Sequence, residues 1–431
     1  MQSISSSIIT ILALCTSVLH AASTSHDSDL SPKRSAQRLQ AGIVSEGRLV
    51  GRTWLFPAQA LTEPEGSSEK TTTPLIKGRL LLTDTHNTAH PARLAKVMLM
   101  GAAGIISETV VAADGAWAIS PKSALEGSYA LRFSLNNRYW MLRNTDGNDY
   151  AWEGPKVTLP IDGDFDTGDW SLDSSLANGQ VGYIHLSFLE ALDSFARYGI
   201  DISWWRQVTT VWPDQDAYYS PSYHAVHLSN PKAWDVNIHE LGHSIVATGM
   251  RVPSAGGQHK LDECYSANLA GSEGFPTFLA ALAHLDLNDP DAKFEYLVPR
   301  RAPIKVENVP SDVCQGDNNE WRVTSALGDI VDTNNDDKDV SVISATRLLK
   351  ALFGQSFAGM KGAWRLLEKQ LDAQESAAAK AALRQNTIVY ADRPGVARRA
   401  AGDTTAWSHP DWDGHQQAIT AAVIREDNFV V

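Results

Sequence analysis

The sequence has no long apolar run beyond its N-terminus, no excess of positive charge and only 3 cysteines. Without a further stretch of about 20 apolar residues, a polytopic membrane protein is excluded. The 37 basic and 50 acidic side chains give a net charge of −13, a sign that repels phosphate backbones and anionic membrane surfaces. A nucleic-acid partner is therefore not expected.

What the sequence does contain is the composition of a folded protein. Apolar residues make up 43% of the chain and charged residues 20%, so neither disorder nor a coiled coil is the dominant state. A chain of 431 residues is longer than one compact core usually organises. At about 150 residues per domain, this length predicts two or three domains.

The first residues have the pattern of an export signal. Residues 8–19 form an apolar run, and the small residues at 21–23 suit cleavage by signal peptidase. We therefore predict that residues 1–22 are a signal peptide, that the protein is secreted to an extracellular or periplasmic compartment, and that no membrane span remains afterwards. A short buried helix or an uncleaved anchor is the alternative.

The cysteine count depends on this cleavage. Removal of the signal peptide takes Cys15 away and leaves Cys264 and Cys314. An exported chain with two remaining cysteines most simply joins them in one disulfide, which would stabilise the fold by about 4 kcal/mol on the chain-entropy model. Two free buried thiols are the alternative.

Changes in composition divide the rest of the chain. Residues 23–74 are polar and rich in Ser, Thr, Glu and Pro, which predicts a polar arm or pro-segment. Residues 75–160 contain short β-type runs separated by Gly, Asp and Asn turns, the pattern of a small all-β sandwich. An Asp- and Gly-rich linker at 161–175 follows. Residues 176–431 mix two short strands with many helices, so the chain is predicted to be multidomain, with a mainly helical C-terminal subdomain.

The β-rich segment also resembles known accessory modules. Its opening GRLLL and the turn Ala113-Asp114-Gly115 make residues 77–160 similar to the carboxypeptidase-regulatory-like or transthyretin-like modules of secreted proteins. The resemblance implies an accessory role, and this segment offers no paired acid and base.

The sequence SNPKAWDVNIHELGHSIVATG predicts a helix of about eighteen residues that carries a metal half-site. Asn230 is placed to cap this helix, Pro231 suits its first position, and Gly249 is placed to end it in a left-handed conformation. His239 and His243 are four residues apart, so they lie on one face of the helix and together could chelate a zinc ion.

Between the two histidines, Glu240 completes an H-E-x-x-H motif. A carboxylate beside a zinc ion can accept a proton from the water that the ion activates, without being a ligand itself. Asp235 lies one turn before His239 and could orient its imidazole, with surface capping as the alternative.

Two glutamates compete for the place of the third ligand. Glu263 lies 20 residues after His243, and Glu273 lies 30 residues after it. We favour Glu273, because it is predicted at the start of an apolar helix capped by Ser272, which would hold its carboxylate on rigid structure. Glu263 is the less favoured choice.

Three successive blocks of sequence carry a second, more specific resemblance. HELGH, GGQHKLDECYSANLAGSEGFPTFLAALA and NEWRVTSALGDIVDTNNDDKD resemble the blocks of secreted gluzincin metallopeptidases, over residues 183–339. The resemblance implies a zincin-like α+β metalloprotease domain and one zinc ion per chain. It implies that His239, His243 and Glu273 are ligands and that Glu240 is the catalytic base. The chain departs from the family pattern at Pro276 and Gly328, which affects the expected pocket shape.

A hydrolytic reaction also needs a donor for the oxyanion of the transition state. The candidates are His259, Tyr265, Tyr223 and His224, each of which could instead be an ordinary loop or core residue. The extended run at 225–228 directly precedes the metal helix, and it could offer an exposed edge to which a peptide substrate adds as a strand. Packing within the sheet is the alternative.

The third block predicts a further helix and a weaker metal signal. Glu320 and Arg322 open this helix and could brace the zinc ligands, with ordinary packing as the alternative. The run DTNNDDKD after it offers many oxygens, so Ca²⁺ is a further candidate cofactor. It is not an EF-hand, because the sixth position is Asp337 rather than Gly and the twelfth is Ile343 rather than Glu.

These observations predict a secreted zinc endopeptidase that acts on protein or peptide substrates. A zinc hydrolase of another amide or of a glycoprotein is one alternative, because H-E-x-x-H fixes the activation of water and says little about the acyl group. A non-catalytic secreted binding protein that retains zinc is the other. An intact Glu240 argues against it, since a structural zinc site does not need this carboxylate.

Overall fold

The computed structural model describes residues 74–391 except 122–124, 162, 173, 175–176, 298–302, 335–339 and 341–342, together with the backbone of 43–46 and 48–49. The predicted signal peptide, Cys15 and most of the polar arm lie outside the described residues. In chain order the strands are β1 (Ile43–Glu46), β2 (Arg48–Leu49), β3 (Ile76–Thr83), β4 (Ala89–Pro91), β5 (Lys96–Gly101), β6 (Gly104–Val110), β7 (Ala116–Ile119), β8 (Gly127–Ser134), β9 (Trp140–Arg143), β10 (Tyr150–Leu159), β11 (Phe165–Leu172), β12 (Val208–Val211), β13 (Tyr218–Ser220), β14 (Ala225–His227), β15 (Lys293–Phe294) and β16 (Ile304–Lys305).

Helices dominate the second half of the described chain. A 3₁₀ turn at Ala177–Gln180 precedes the first of them. The helices are α1 (Val181–Arg197), α2 (Trp234–Gly249), α3 (Ala267–His284), α4 (Glu320–Val331), α5 (Ala345–Leu352), α6 (Gly359–Glu368) and α7 (Ala373–Gln385). The last three form the predicted C-terminal helical region. Among the described residues, no helix is long and apolar enough to cross a membrane.

The first part of the fold consists of two facing β-sheets. One sheet has the strand order β1-β10-β8-β5-β6, and the other has the order β2-β11-β3-β4, with β7 also paired to β3. The ring of Phe133 on β8 lies 6.1 Å from that of Trp117 on β7 and 5.9 Å from that of Trp170 on β11, measured between centroids. Large aromatic rings from both sheets therefore fill the space between them.

The segment predicted as a linker is instead a strand of this sandwich. Strand β11 pairs parallel to β3 and antiparallel to β2, with a shift of register between Asp166 and Asp169. Gly168 lies inside the shift with φ of +78°. The Asp and Gly residues that suggested a linker therefore mark a bulge, which interrupts a strand without ending it.

A second difference concerns β9, whose run was predicted to belong to the sandwich. It pairs parallel to β12 instead, in a third sheet with the order β13-β14-β12-β9. The indole Nε1 of Trp140 on β9 donates to Nδ1 of His185 on α1, at 3.1 Å. The short β-type run that contains Trp140 and Leu142 indicated a strand, but it carried no information about which sheet the strand would join.

The prediction of an exposed edge at 225–228 is wrong. Strand β14 lies between β12 and β13, and all three of its residues are buried. Among the described strands, β13 and β9 occupy the two ends of this sheet. The apolar run at 225–228 fits a strand with neighbours on both sides, whereas the three-residue β13 has too short a pattern to be recognised.

Both ends of the metal helix differ from the prediction. Helix α2 begins at Trp234, and the Asn230 side chain accepts from the N–H of Lys232 in the preceding turn. The left-handed residue after the helix is Arg251, with φ of +48°, not Gly249. A Cβ at Gly249 would lie 2.9 Å from the Trp204 ring, so this glycine is required by packing.

Helix α3 starts earlier than predicted. Its N-cap is Ser266, whose hydroxyl accepts from the N–H of Leu269, and Ser272 lies inside the helix and donates to the Leu269 carbonyl. Glu273 therefore projects from the second turn of α3. The predicted disulfide between Cys264 and Cys314 is confirmed, and it joins the segment before α3 to the segment before α4.

Candidate metal centre

The site lies where α2 crosses α3. A Cβ on Gly242 would lie 2.9 Å from Cα of Pro276, so the two helices meet backbone to backbone. His239 and His243 flank Gly242 on α2, and Glu273 lies almost one turn before Pro276 on α3. The close crossing brings side chains from both helices together.

The donor atoms of these three residues converge. Nε2 of His239 lies 3.1 Å from Nε2 of His243, and Oε2 of Glu273 lies 3.4 Å from the first and 3.0 Å from the second. His239 and Glu273 are 4% and 5% exposed. Ligands about 2.1 Å from a tetrahedral zinc ion lie about 3.4 Å apart, so this set of donors has the spacing that zinc requires.

The electrostatics of Glu273 favour its charged form. Burial raises the pKa of this carboxyl, but the adjacent His243 and His239 outweigh burial and bring the pKa below its ordinary value. The result is a buried carboxylate that faces two imidazole nitrogens.

Glu240 lies beside these three residues, and its pKa is shifted in the opposite direction from that of Glu273. It is 7% exposed, and its Oε2 lies 4.0 Å from Nε2 of His243. Burial raises its pKa, and the neighbouring His239 and His243 only partly offset this. Two carboxyls in one site therefore differ in proton affinity, as expected for groups with different roles.

Of the four candidate oxyanion donors, His259 lies closest to the candidate metal ligands. Its Nε2 is 3.4 Å from Oε2 of Glu273 and 3.2 Å from Oε2 of Glu320, and its Nδ1 is 3.3 Å from the Gly257 carbonyl. Both ring nitrogens face acceptors, so both carry protons. Burial alone would lower the pKa of His259, but Glu320 and Glu273 raise it to about 9.

The other candidates lie further out. The Tyr265 hydroxyl accepts from the Lys260 N–H at 2.9 Å, and its ring centroid is 6.3 Å from that of His259. Tyr223 is 43% exposed. Nδ1 of His224 lies 2.9 Å from the hydroxyl of Tyr219.

Tyr219 was not among the residues predicted for the site. Its ring on β13 lies nearly parallel to that of His243, at 7° and 6.2 Å between centroids. It reaches the site because β13 folds back antiparallel to β14, close to α2. No local motif marks it, since a tyrosine in a short strand is common.

Glu263 has different neighbours from Glu273. Its carboxylate lies 3.0 Å from Nζ of Lys260 and 3.2 Å from the Tyr265 hydroxyl. Its side chain is 41% exposed. These contacts place it on a partly solvated turn.

The suggestion that Asp235 orients an imidazole is wrong. Oδ2 of Asp235 accepts from the backbone N–H groups of Glu295, Tyr296 and Leu297, at 2.8, 2.7 and 3.0 Å, and its Oδ1 accepts from the Val236 N–H. The carboxylate therefore fastens the loop after β15 to the first turn of α2.

Glu320 and Arg322 have separate surroundings at the start of α4. Oε1 of Glu320 accepts from the hydroxyl of Thr277 at 2.7 Å, and Thr277 in turn contacts Nδ1 of His239 at 2.8 Å. The Arg322 guanidinium instead donates to the carbonyls of Pro310, Val313 and Cys314. Glu320 thus belongs to the site. Arg322 instead holds the loop at 310–314, which precedes α4, through hydrogen bonds to its carbonyls.

A second group of carboxylates lies near the predicted calcium run. The oxygens of Glu307, Asp329 and Asp332 are within 4.8 Å of one another, and all three residues are buried. Residues 335–339 of the run lie outside the described residues. Calcium binding stays a prediction.

Comparison with known proteins supports a metallopeptidase. Residues 197–387 match the family model of the Mycolysin C-terminal domain, a domain of secreted zinc metalloproteases. The matched range contains His239, His243, Glu273 and Glu320. Among curated proteins, none matches the chain.

Similarity to the solved structure of a lipoxygenase is weak. A 9R-lipoxygenase from Cyanothece is 13% identical, with a TM-score of 0.16, over 32% of this chain and 25% of the lipoxygenase chain. This chain therefore spans a quarter of that protein's length. A TM-score of this size does not indicate a shared fold.

Proposed function

We propose that the chain is a secreted zinc-dependent endopeptidase in which His239, His243 and Glu273 hold the metal and Glu240 is the general base. The observation that carries this proposal is the convergence of three donor atoms at 3.0–3.4 Å from one another, with Glu240 buried beside them. The match of residues 197–387 to a metalloprotease domain supports it independently.

The roles of the residues follow from their surroundings. A bound zinc ion would supply Lewis acidity, polarising the substrate carbonyl and lowering the pKa of water towards neutrality. Glu240 would accept the proton of the attacking water and deliver it to the leaving amine. Its raised pKa suits this exchange, because the carboxyl must hold a proton between the two transfers.

His259 is our choice for the oxyanion donor. Its Nε2 lies 3.4 Å from Oε2 of Glu273, and its side chain is about a quarter exposed, so a substrate carbonyl can approach the imidazole from the solvent side. An imidazolium there would stabilise negative charge as it develops on the carbonyl oxygen. Tyr219 would contribute by holding the plane of the His243 ring.

Strand β13 offers the place where a peptide would bind. It is one of the two end strands of the third sheet among the described strands, and the ring of its Tyr219 lies nearly parallel to that of His243. An extended peptide that pairs with this edge would lie alongside the metal ligands. This arrangement favours protein or peptide substrates over the alternative of another amide or a glycoprotein.

The experiment compares casein or peptide hydrolysis by the wild type and Glu240→Gln, with zinc content measured in both. We expect Glu240→Gln to retain one zinc ion and to lose activity by at least about 100-fold, the contribution typical of general acid–base catalysis. Glu263→Gln is the matched control and should retain both zinc and activity. Equal activity in wild type and Glu240→Gln would contradict the role of Glu240 as general base, whereas no activity in either protein with zinc bound would contradict the endopeptidase and favour the binding protein.

A further inference from the structure

We infer that Glu320 acts through the hydroxyl of Thr277 as a positioning residue, which fixes the tautomer and ring orientation of His239 so that its Nε2 faces the metal. The inference rests on the proposed zinc site. It assigns a task to two buried residues that come from different helices.

Three buried groups form a continuous chain of hydrogen bonds. Thr277 lies four residues after Glu273 on α3, and therefore on the same face of the helix. Its Oγ1 is 2.8 Å from Nδ1 of His239 and 2.7 Å from Oε1 of Glu320. Thr277, Glu320 and His239 are 0%, 3% and 4% exposed, so water does not compete for these bonds.

The direction of the chain follows from the protons available. A carboxylate only accepts, and a threonine hydroxyl has a single proton to donate. Thr277 must give that proton to Glu320, so its oxygen accepts from His239. Nδ1 of His239 therefore carries a proton, and the lone pair of the neutral ring is on Nε2, the atom that faces His243 and Glu273.

The backbone around this chain is held rigidly. The N-cap of α4 is Asn319, whose side chain accepts from the N–H of Arg322, so Glu320 occupies the first position of a capped helix. The Thr324 hydroxyl donates to the Gly274 carbonyl at 3.1 Å and ties α4 to α3. Gly274 allows this approach, because a Cβ there would lie 3.1 Å from the Glu320 carbonyl oxygen.

The second carboxylate oxygen of Glu320 contacts another histidine of the site. Oε2 lies 3.2 Å from Nε2 of His259, so one carboxylate contacts His259 directly and His239 through Thr277. Outer partners of metal-bound histidines commonly change metal affinity 10- to 100-fold when they are removed. Here a hydroxyl is interposed between the carboxylate and the imidazole, which makes the chain testable at Thr277 without altering any charge.

The test compares Thr277→Val with Thr277→Ser and with Thr324→Val as a matched control. Both valine variants replace a fully buried hydroxyl between α3 and α4, but only Thr277 contacts His239. The zinc dissociation constant is measured by competition with a chelator, and the visible spectrum is recorded after substitution with Co²⁺.

We expect Thr277→Val to weaken zinc binding by about 10- to 100-fold and to shift the Co²⁺ spectrum. Thr277→Ser should restore both properties, and Thr324→Val, which keeps the contact to His239, should change both much less than Thr277→Val does. Equal zinc affinity and equal spectra for the two valine variants would overturn the inference while leaving the proposed function intact. A wild type that binds no zinc would overturn both.

A measurement on the unaltered, metal-free protein covers the case in which Thr277→Val does not fold. Nitrogen-15 spectra of the imidazoles should show the neutral ring of His239 protonated at Nδ1 before any metal is added. Protonation at Nε2 would overturn the inference.

Discussion

Gly242 and Pro276 set the distance between the two helices that carry the candidate ligands. A Cβ on Gly242 would lie 2.9 Å from the Pro276 Cα and 3.2 Å from its carbonyl oxygen. Neither is the flexible end of a side chain, so the helices have to move if anything larger than hydrogen is placed there.

We therefore expect Gly242→Ala to destabilise the protein by about 2 kcal/mol, the range of an overpacked core, and to weaken zinc binding. The control is Gly182→Ala on α1, where the added Cβ would contact only the Leu82 side chain, at 3.2 Å for the nearest atom. Urea unfolding and zinc titration of both variants check this. A Gly242→Ala protein as stable as Gly182→Ala would show that the crossing tolerates a methyl group.

The choice between Glu273 and Glu263 is decided by zinc stoichiometry. Glu273→Ala should bind substantially less than one equivalent of zinc at micromolar concentration, because it removes one of three converging donors. Glu263→Ala should still bind one equivalent, since its carboxylate pairs with Lys260. Retention of zinc by Glu273→Ala together with loss by Glu263→Ala would reverse the assignment.

Asp235 is expected to matter for stability and not for the metal. The carboxylate of the buried Asp235 accepts three backbone N–H groups through one oxygen, so Asp235→Ala would leave all three donors without this partner. We expect a loss of roughly 3 kcal/mol with zinc affinity unchanged. The exposed Asp201→Ala should cost about 0.5 kcal/mol or less, measured by the same denaturation curves. Weakened zinc binding in Asp235→Ala would show that Asp235 does support the metal site.

The buried His185 predicts a loss of stability in acid. Burial lowers its pKa from 6.5 to about 4, so the unfolded chain binds a proton more readily than the folded one between these values. The stabilising effect is complete above pH 6.5 and disappears as the pH falls to 4, a change of about 3 kcal/mol.

Replacement of His185 by Gln tests this assignment. Glutamine can still accept from Trp140 and donate to the Arg93 carbonyl, the two partners of the imidazole. The free energy of unfolding should therefore fall less steeply between pH 6.5 and pH 4 in His185→Gln than in the wild type. Parallel curves for the two proteins would contradict the prediction.

The sequence was informative where the signal is local. His239, Glu240 and His243 lie within one and a half helical turns, so their spacing alone predicts that they share a face. Asp235 has the same spacing from His239, yet that prediction failed because the N–H groups of residues 295–297 bind its carboxylate. Helical periodicity gives the face of a side chain and leaves its partner undetermined.

Contacts that depend on tertiary packing could not be predicted from the sequence. Thr277 and Glu320 are 43 residues apart, and their contact depends on the packing of α3 against α4. Strand β11 was predicted to be a linker because the same residue types, Asp and Gly, occur in bulges and in loops. In each case the deciding interaction is non-local, so no window of sequence contains it.

Strand β9 has a consequence for how the molecule is built. It is covalently part of the sandwich segment, between β8 and β10, yet its backbone completes the sheet that leads into the metal helix. If the chain were cut between β11 and α1 and the two parts separated, β12 would lose its neighbour β9, and the Trp140 indole would be exposed. The β module therefore shares a sheet with the part of the chain that carries the candidate metal site, and we expect both halves to melt in a single cooperative transition.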